Sequence, residues 1–163
     1  MRFLKCCSVV LAITVQMITG CGGGGGGGAA AIPPVTTTKT ATLKFYSQST
    51  NSGDTLSGFD LTVTLPTGSV ISTDANGVPL SSAVYLSGNS AGYLFASYDS
   101  TLRKLSANSG NSSSYALGEF ITILVTVPSS YVPKMSDITY SFTAWGLPAG
   151  TPIPTITATG TFI

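Results

Sequence analysis

Four groups of residues in this chain have types and spacing that could do chemistry. The first is a thiol: Cys21 in Ile18-Thr19-Gly20-Cys21, followed by seven consecutive glycines. A thiol is the best nucleophile among the side chains there, and small neighbours let an enzyme grip the extended backbone. The second is the carboxylates Asp54, Asp60, Asp99, Glu119 and Asp137, any two of which, converging in a cleft, would form an acid–base pair for sugar hydrolysis. The third is Asp74-Ala75-Asn76-Gly77, spaced like the start of a calcium loop. The fourth is the aromatics Trp145, Tyr46, Tyr85 and Tyr98, whose rings suit the C–H faces of sugars wherever they stand on a solvent face.

Each group meets a simpler reading. The calcium-like run lacks the later bidentate carboxylate that such a loop needs, so a tight turn is expected, with Asn-Gly tolerating positive φ. Asp60 falls on the outward phase of an alternating strand and Glu119 opens a buried one, so solvated carboxylates are expected. The chain has no histidine and three cysteines. Cys6, Cys7 and Cys21 all precede the strand-patterned region, so that region has neither His-assisted nucleophiles nor thiolate or imidazole metal sites. We therefore expect no enzyme, no metal and no cofactor. The aromatics remain as candidate ligand contacts. Trp145 follows the outward phase of the Ile138 strand, Tyr46 shares a phase with Lys44, and Tyr85 and Tyr98 are read as outward. Packing at the end of a sandwich is the competing role for Trp145.

Charge narrows the partners. Of seven basic residues, Arg2 and Lys5 belong to the leader, leaving five against six acidic residues. No basic stripe is present, so no nucleic acid is expected.

The leader reads as a targeting segment over residues 1–20. Arg2 and Lys5 precede an apolar run from Ser8 to Ile18, about half the roughly 20 residues of a spanning helix. Ile18-Thr19-Gly20-Cys21 resembles the lipobox of bacterial lipoproteins, with Ile18 where the family usually has Leu. The resemblance implies a diacylglycerol thioether on Cys21, cleavage before it, and acylation of the new amino group (palmitate and similar chains), so that the acyl chains hold the protein to a membrane. Gly22 in place of Asp implies the outer membrane by the family's sorting rule, facing either periplasm or cell surface. Residues 21–39 then form a flexible Gly/Ala/Pro/Thr tether. A phosphate-cradling glycine loop is excluded, because no Lys-Ser/Thr directly follows the glycines.

Period-two alternation dominates residues 40–163. Strands are predicted over Ala41–Tyr46, Phe59–Leu65, Val70–Ser72, Ala83–Leu86, Tyr93–Tyr98, Arg103–Ala107, Glu119–Val127, Ile138–Ala144 and Ile156–Phe162. A short helix is possible near Tyr131–Ser136, limited by Pro133. Eight to nine short strands with Gly, Pro and Asn punctuation predict an all-β, antiparallel two-sheet sandwich. The order of an ATLKF-like first strand, a GFDLTVTLP strand and a late Gly118-Glu119-Phe120 strand resembles the cohesin-type jelly roll, related to carbohydrate-binding modules. That resemblance implies a binding fold without specifying a ligand. The expectation is a non-catalytic, lipid-anchored binding sandwich for a polysaccharide or a partner protein. The alternative is a structural envelope subunit that assembles through sheet edges and has no ligand of its own.

Overall fold

The computed structural model describes residues 36–147 and 150–163. Cys21, the leader and most of the tether lie outside the described residues. Among the described residues, nine strands form two antiparallel sheets. They are β1 (Thr38–Ser49), β2 (Leu56–Thr64), β3 (Val84–Leu86), β4 (Tyr93–Asp99), β5 (Lys104–Tyr115), β6 (Glu119–Pro128), β7 (Thr139–Gly146), β8 (Thr151–Pro152) and β9 (Ile156–Phe162). One sheet has the order β3-β6-β1-β9 and the other β4-β5-β2-β7-β8. Among the described residues no helix is long and apolar enough to cross a membrane.

Alternation explains the layering. On β2, Phe59, Leu61 and Val63 are fully buried while Asp60 is exposed. On β1, Ala41, Leu43 and Phe45 turn inward. Their inner faces meet Ile121, Ile123, Val125 and Val127 of β6, giving the apolar layer of a sandwich. A bulge on β6, where Phe45 pairs with Ile121 but Tyr46 with Glu119, leaves Phe120 unpaired in the register. Phe120 thereby also enters the core, edge-on to Phe59 at 4.7 Å between centroids and beside Phe142 at 5.3 Å. Bulges re-aim side chains in this way.

Several local expectations are corrected. Val70–Ser72 is not a strand; Val70 makes a single two-way bridge to Thr126, at 2.9 and 2.8 Å. β5 continues to Tyr115, well past Ala107. Its Ser- and Asn-rich half carries no apolar alternation; β2 and β4 pair it on both sides as far as Gly110, and β2 pairs it again at Tyr115. The segment near Tyr131–Ser136 contributes only a 3-10 turn at Met135–Asp137. Thr38 and Lys39, read as tether, already belong to β1, paired with Pro128 and Val127.

Candidate functional site

The outer face of the five-stranded sheet can be built row by row from its register. Gly58 of β2 faces Gly110 of β5 on one side and Trp145 of β7 on the other. Gly110 in turn faces Tyr93 of β4, and Trp145 faces Pro152 of β8. One level therefore reads Tyr93–Gly110–Gly58–Trp145–Pro152. The next level on the same face reads Phe95–Asn108–Asp60–Thr143. Two aromatics thus stand either side of two glycines, three strand spacings apart, which is about 14 Å.

This arrangement is a trough of about 700 Å³, lined among others by Tyr93, Trp145, Asp60, Asn111 and Ser112 over Gly58 and Gly110. Its glycine floor has two different causes. A Cβ on Gly58 would collide with the Ser109 carbonyl, so only glycine lets β5 approach here. A Cβ on Gly110 would meet nothing within 4 Å; there, glycine leaves the trough open rather than the backbone relaxed. A break in register helps to shape the wall. Leu56 pairs with Tyr115 and Gly58 with Gly110, so residues 111–114 bulge out of the ladder and bring Asn111 and Ser112 to the rim.

The tryptophan is held from two sides. Its indole Nε1 donates to Asp60 Oδ2 at 2.9 Å. Its carbonyl accepts from Ser57 Oγ at 2.9 Å. Tyr93 and Phe95 are the opposite case, with 77% and 68% of their surface in solvent. Ser109 Oγ and the Tyr115 hydroxyl are cut off from solvent, and neither closes a hydrogen bond among the described residues. Burial pushes the Tyr115 hydroxyl up to about 12, although the Ser109 side chain beside it pulls in the opposite direction.

Of the four aromatics singled out from the sequence, only Trp145 is here. Tyr46 and Tyr85 lie on the outer face of the other sheet, around an ion pair between Lys44 Nζ and Glu119 Oε2 at 2.9 Å. Tyr46 reaches the same carboxylate oxygen at 3.4 Å, and Tyr85 pairs with Thr122, the neighbour of Lys44. The Lys44 ammonium, then the Ser87 hydroxyl, hold Glu119 below its ordinary value, and the hydrogen bond to Glu119 raises Lys44. Tyr98 is a correction: it faces the core and is buried, its hydroxyl donating to the Ser69 carbonyl at 3.3 Å. It occupies the inward phase of β4 because Tyr93, Phe95, Ser97 and Asp99 take the outward one. The sequence reading passed over Tyr93, which forms the trough's open side, and Phe95, one level along the same face. Their signal was the shared phase with Ser97 and Asp99.

The carboxylates are engaged separately. Asp60 holds Trp145, and Asp54 accepts from Ser49 and Thr155 at 2.6 and 2.7 Å. Asp74 Oδ1 takes the backbone N–H groups of Asn76 and Val78, both at 2.9 Å, closing a turn in which Gly77 has φ +80°. Asp99 caps the β4–β5 turn through Thr101 and Leu102, and Asp137 accepts from Tyr131. No family model, no curated protein and no solved structure matches this chain.

Proposed function

We propose that this protein is a lipid-anchored, non-catalytic binding sandwich of the bacterial outer membrane, which recognises its ligand in the trough between Tyr93 and Trp145. The single observation that carries the reading is that trough: aromatic walls, a glycine floor and convergent polar groups have the composition expected of a ligand site. The non-catalytic part rests on the carboxylates, each tied to its own partners on a different part of the surface. Anchoring rests on the lipobox-like Ile18-Thr19-Gly20-Cys21.

Gly58 follows the β1–β2 connection at the Ser49 end of the sandwich. The chain enters β1 at Thr38, beside Pro128, at the other end. The trough and the start of β1 therefore lie at opposite ends of the described sandwich.

Cosedimentation tests this reading. Full-length protein is mixed with purified envelope polysaccharide, beside a Tyr93→Ala/Trp145→Ala double variant. Wild type in the pellet and the variant in the supernatant support the reading; equal partition of the two contradicts it.

A second reading is favoured by β4. It is a seven-residue edge strand without Pro or Lys, with Tyr93 and Phe95 exposed on it, and such unguarded edges invite pairing. A structural subunit assembling through this edge would migrate as an oligomer in native conditions; a monomer at all concentrations excludes it.

A further inference from the structure

Resting on the reading that the trough binds ligand, we infer that its ligand is a neutral glycan segment laid across the strands, with its end rings on Tyr93 and Trp145. The span sets the length. Tyr93 and Trp145 sit at one level on β4 and β7 with only Gly110 and Gly58 between them. About 14 Å separates them, room for roughly three sugar rings. A ligand touching both aromatics must be flat on its underside, because the floor carries no side chains. The C–H face of a pyranose meets that demand and matches the ring faces in polarity.

Charge selects against polyanions. Among the described residues the lining comprises hydroxyls, an amide, aromatics and the carboxylate of Asp60, with no Lys or Arg. On the same face, Lys104 sits at the far end of β5, opposite Thr64 and Asp99. A sulfated or phosphorylated chain would meet one repelling carboxylate and no cation. A neutral, hydroxyl-rich chain instead finds an acceptor: Oδ2 of Asp60 is taken by Trp145, and Oδ1 carries no hydrogen bond among the described residues. Asp60 is thus both a positioning residue for the indole and a sugar-hydroxyl acceptor.

The backbone selects against a peptide. β5 and β2, which carry the floor, are interior strands, hydrogen-bonded on both sides. A peptide lying over them would bury its own N–H and C=O groups with no ladder to join. A glycan has no such obligation; its hydroxyls point to the rim, where Asn111 and Ser112 stand.

The test uses the full-length protein in detergent, because Trp145 is its only tryptophan and its fluorescence reports the site alone. The probes are uncharged hexasaccharides of β-1,4-glucose, β-1,4-mannose, β-1,4-xylose and β-1,3-glucose, the matching disaccharides, a heparin fragment, and an apolar heptapeptide. At least one hexasaccharide should shift the emission saturably, with its disaccharide about tenfold weaker. About 0.5 M salt should leave its affinity within roughly twofold, since no charges are paired. Gly110→Phe should abolish the response while unfolding stays cooperative; if that variant fails to fold, Tyr93→Ala serves, at an exposed side chain. Saturable binding of heparin or peptide alone, lost in Gly110→Phe, overturns the glycan inference and leaves the trough reading standing. Hexasaccharide binding that survives Gly110→Phe and Tyr93→Ala overturns both. No response to any hexasaccharide overturns the glycan inference.

Discussion

Trp145 and Asp60 are 85 residues apart in sequence, yet the indole Nε1 donates to Asp60 Oδ2 at 2.9 Å on the outer face of the five-stranded sheet. This bond turns a ring that could swing freely into a fixed wall. Removing the carboxylate in Asp60→Ala should leave global stability within about 0.5 kcal/mol, as at other surface positions. It should also raise acrylamide quenching of Trp145 and weaken ligand binding by about tenfold. Asp60→Asn keeps an oxygen acceptor and should restore most of the shielding. Urea titration and quenching read the two effects separately.

The two floor glycines should respond oppositely. Gly58→Ala forces a Cβ against the Ser109 carbonyl and should cost about 1–3 kcal/mol, the usual range for overpacking. Gly110→Ala places its Cβ in open space. It should be neutral or stabilising by about 0.5 kcal/mol, since alanine loses less chain entropy. Paired urea denaturation curves measure the contrast.

Two aromatics from opposite sides of one sheet give a second contrast. Phe59 is fully buried and packs edge-on to Phe120, so Phe59→Ala should cost about 3–5 kcal/mol. Phe95→Ala, on the solvent side, should stay within about 0.5 kcal/mol. Midpoints of chemical unfolding check both.

Tyr115 carries a hydroxyl buried beside Ser109, with no hydrogen-bond partner among the described residues. An unsatisfied buried polar group costs about 1–3 kcal/mol. Tyr115→Phe should therefore stabilise the domain by about 1 kcal/mol, visible as a higher melting temperature, without altering binding.

The Lys44–Glu119 pair sets a pH dependence. Glu119 is held below its ordinary 4.5, so the folded state favours the charged form. Its contribution is complete above pH 4.5 and is lost as pH falls through the lower folded value. Asp54 and Asp74, lowered by their own hydrogen bonds, act in the same sense. Thermal melts should be level near neutrality and fall on acidification. Glu119→Gln should flatten part of that fall, most visibly below pH 4.5.

The readable part of this fold was wherever one face of a strand is apolar and the other polar. Phe59-Asp60-Leu61-Thr62-Val63 announces its own orientation, and the structure gives it that orientation. β5 beyond Ala107 was not readable in the same way. Residues 108–114 are Asn, Ser and Gly; β2 and β4 pair Asn108 to Gly110, and β2 takes up the pairing again at Tyr115, beyond the bulge. Tyr98 was misassigned because β4 carries aromatics on both phases, and only Ser97 and Asp99 betray which one faces water. Trp145 was correctly set on an outward phase. Its juxtaposition with Gly58, Gly110 and Tyr93 depends on the strand order β4-β5-β2-β7, which no local pattern encodes.

The most direct measurement is an amide and indole NMR titration of ¹⁵N-labelled full-length protein with the neutral hexasaccharide that binds best. The account predicts that the Trp145 indole signal and the Gly58, Tyr93 and Gly110 amides move together and saturate at one concentration, while Tyr46 and Tyr85 stay in place. Shifts centred on Tyr46, Tyr85 and Lys44, or a silent Trp145 indole at saturation, would contradict it.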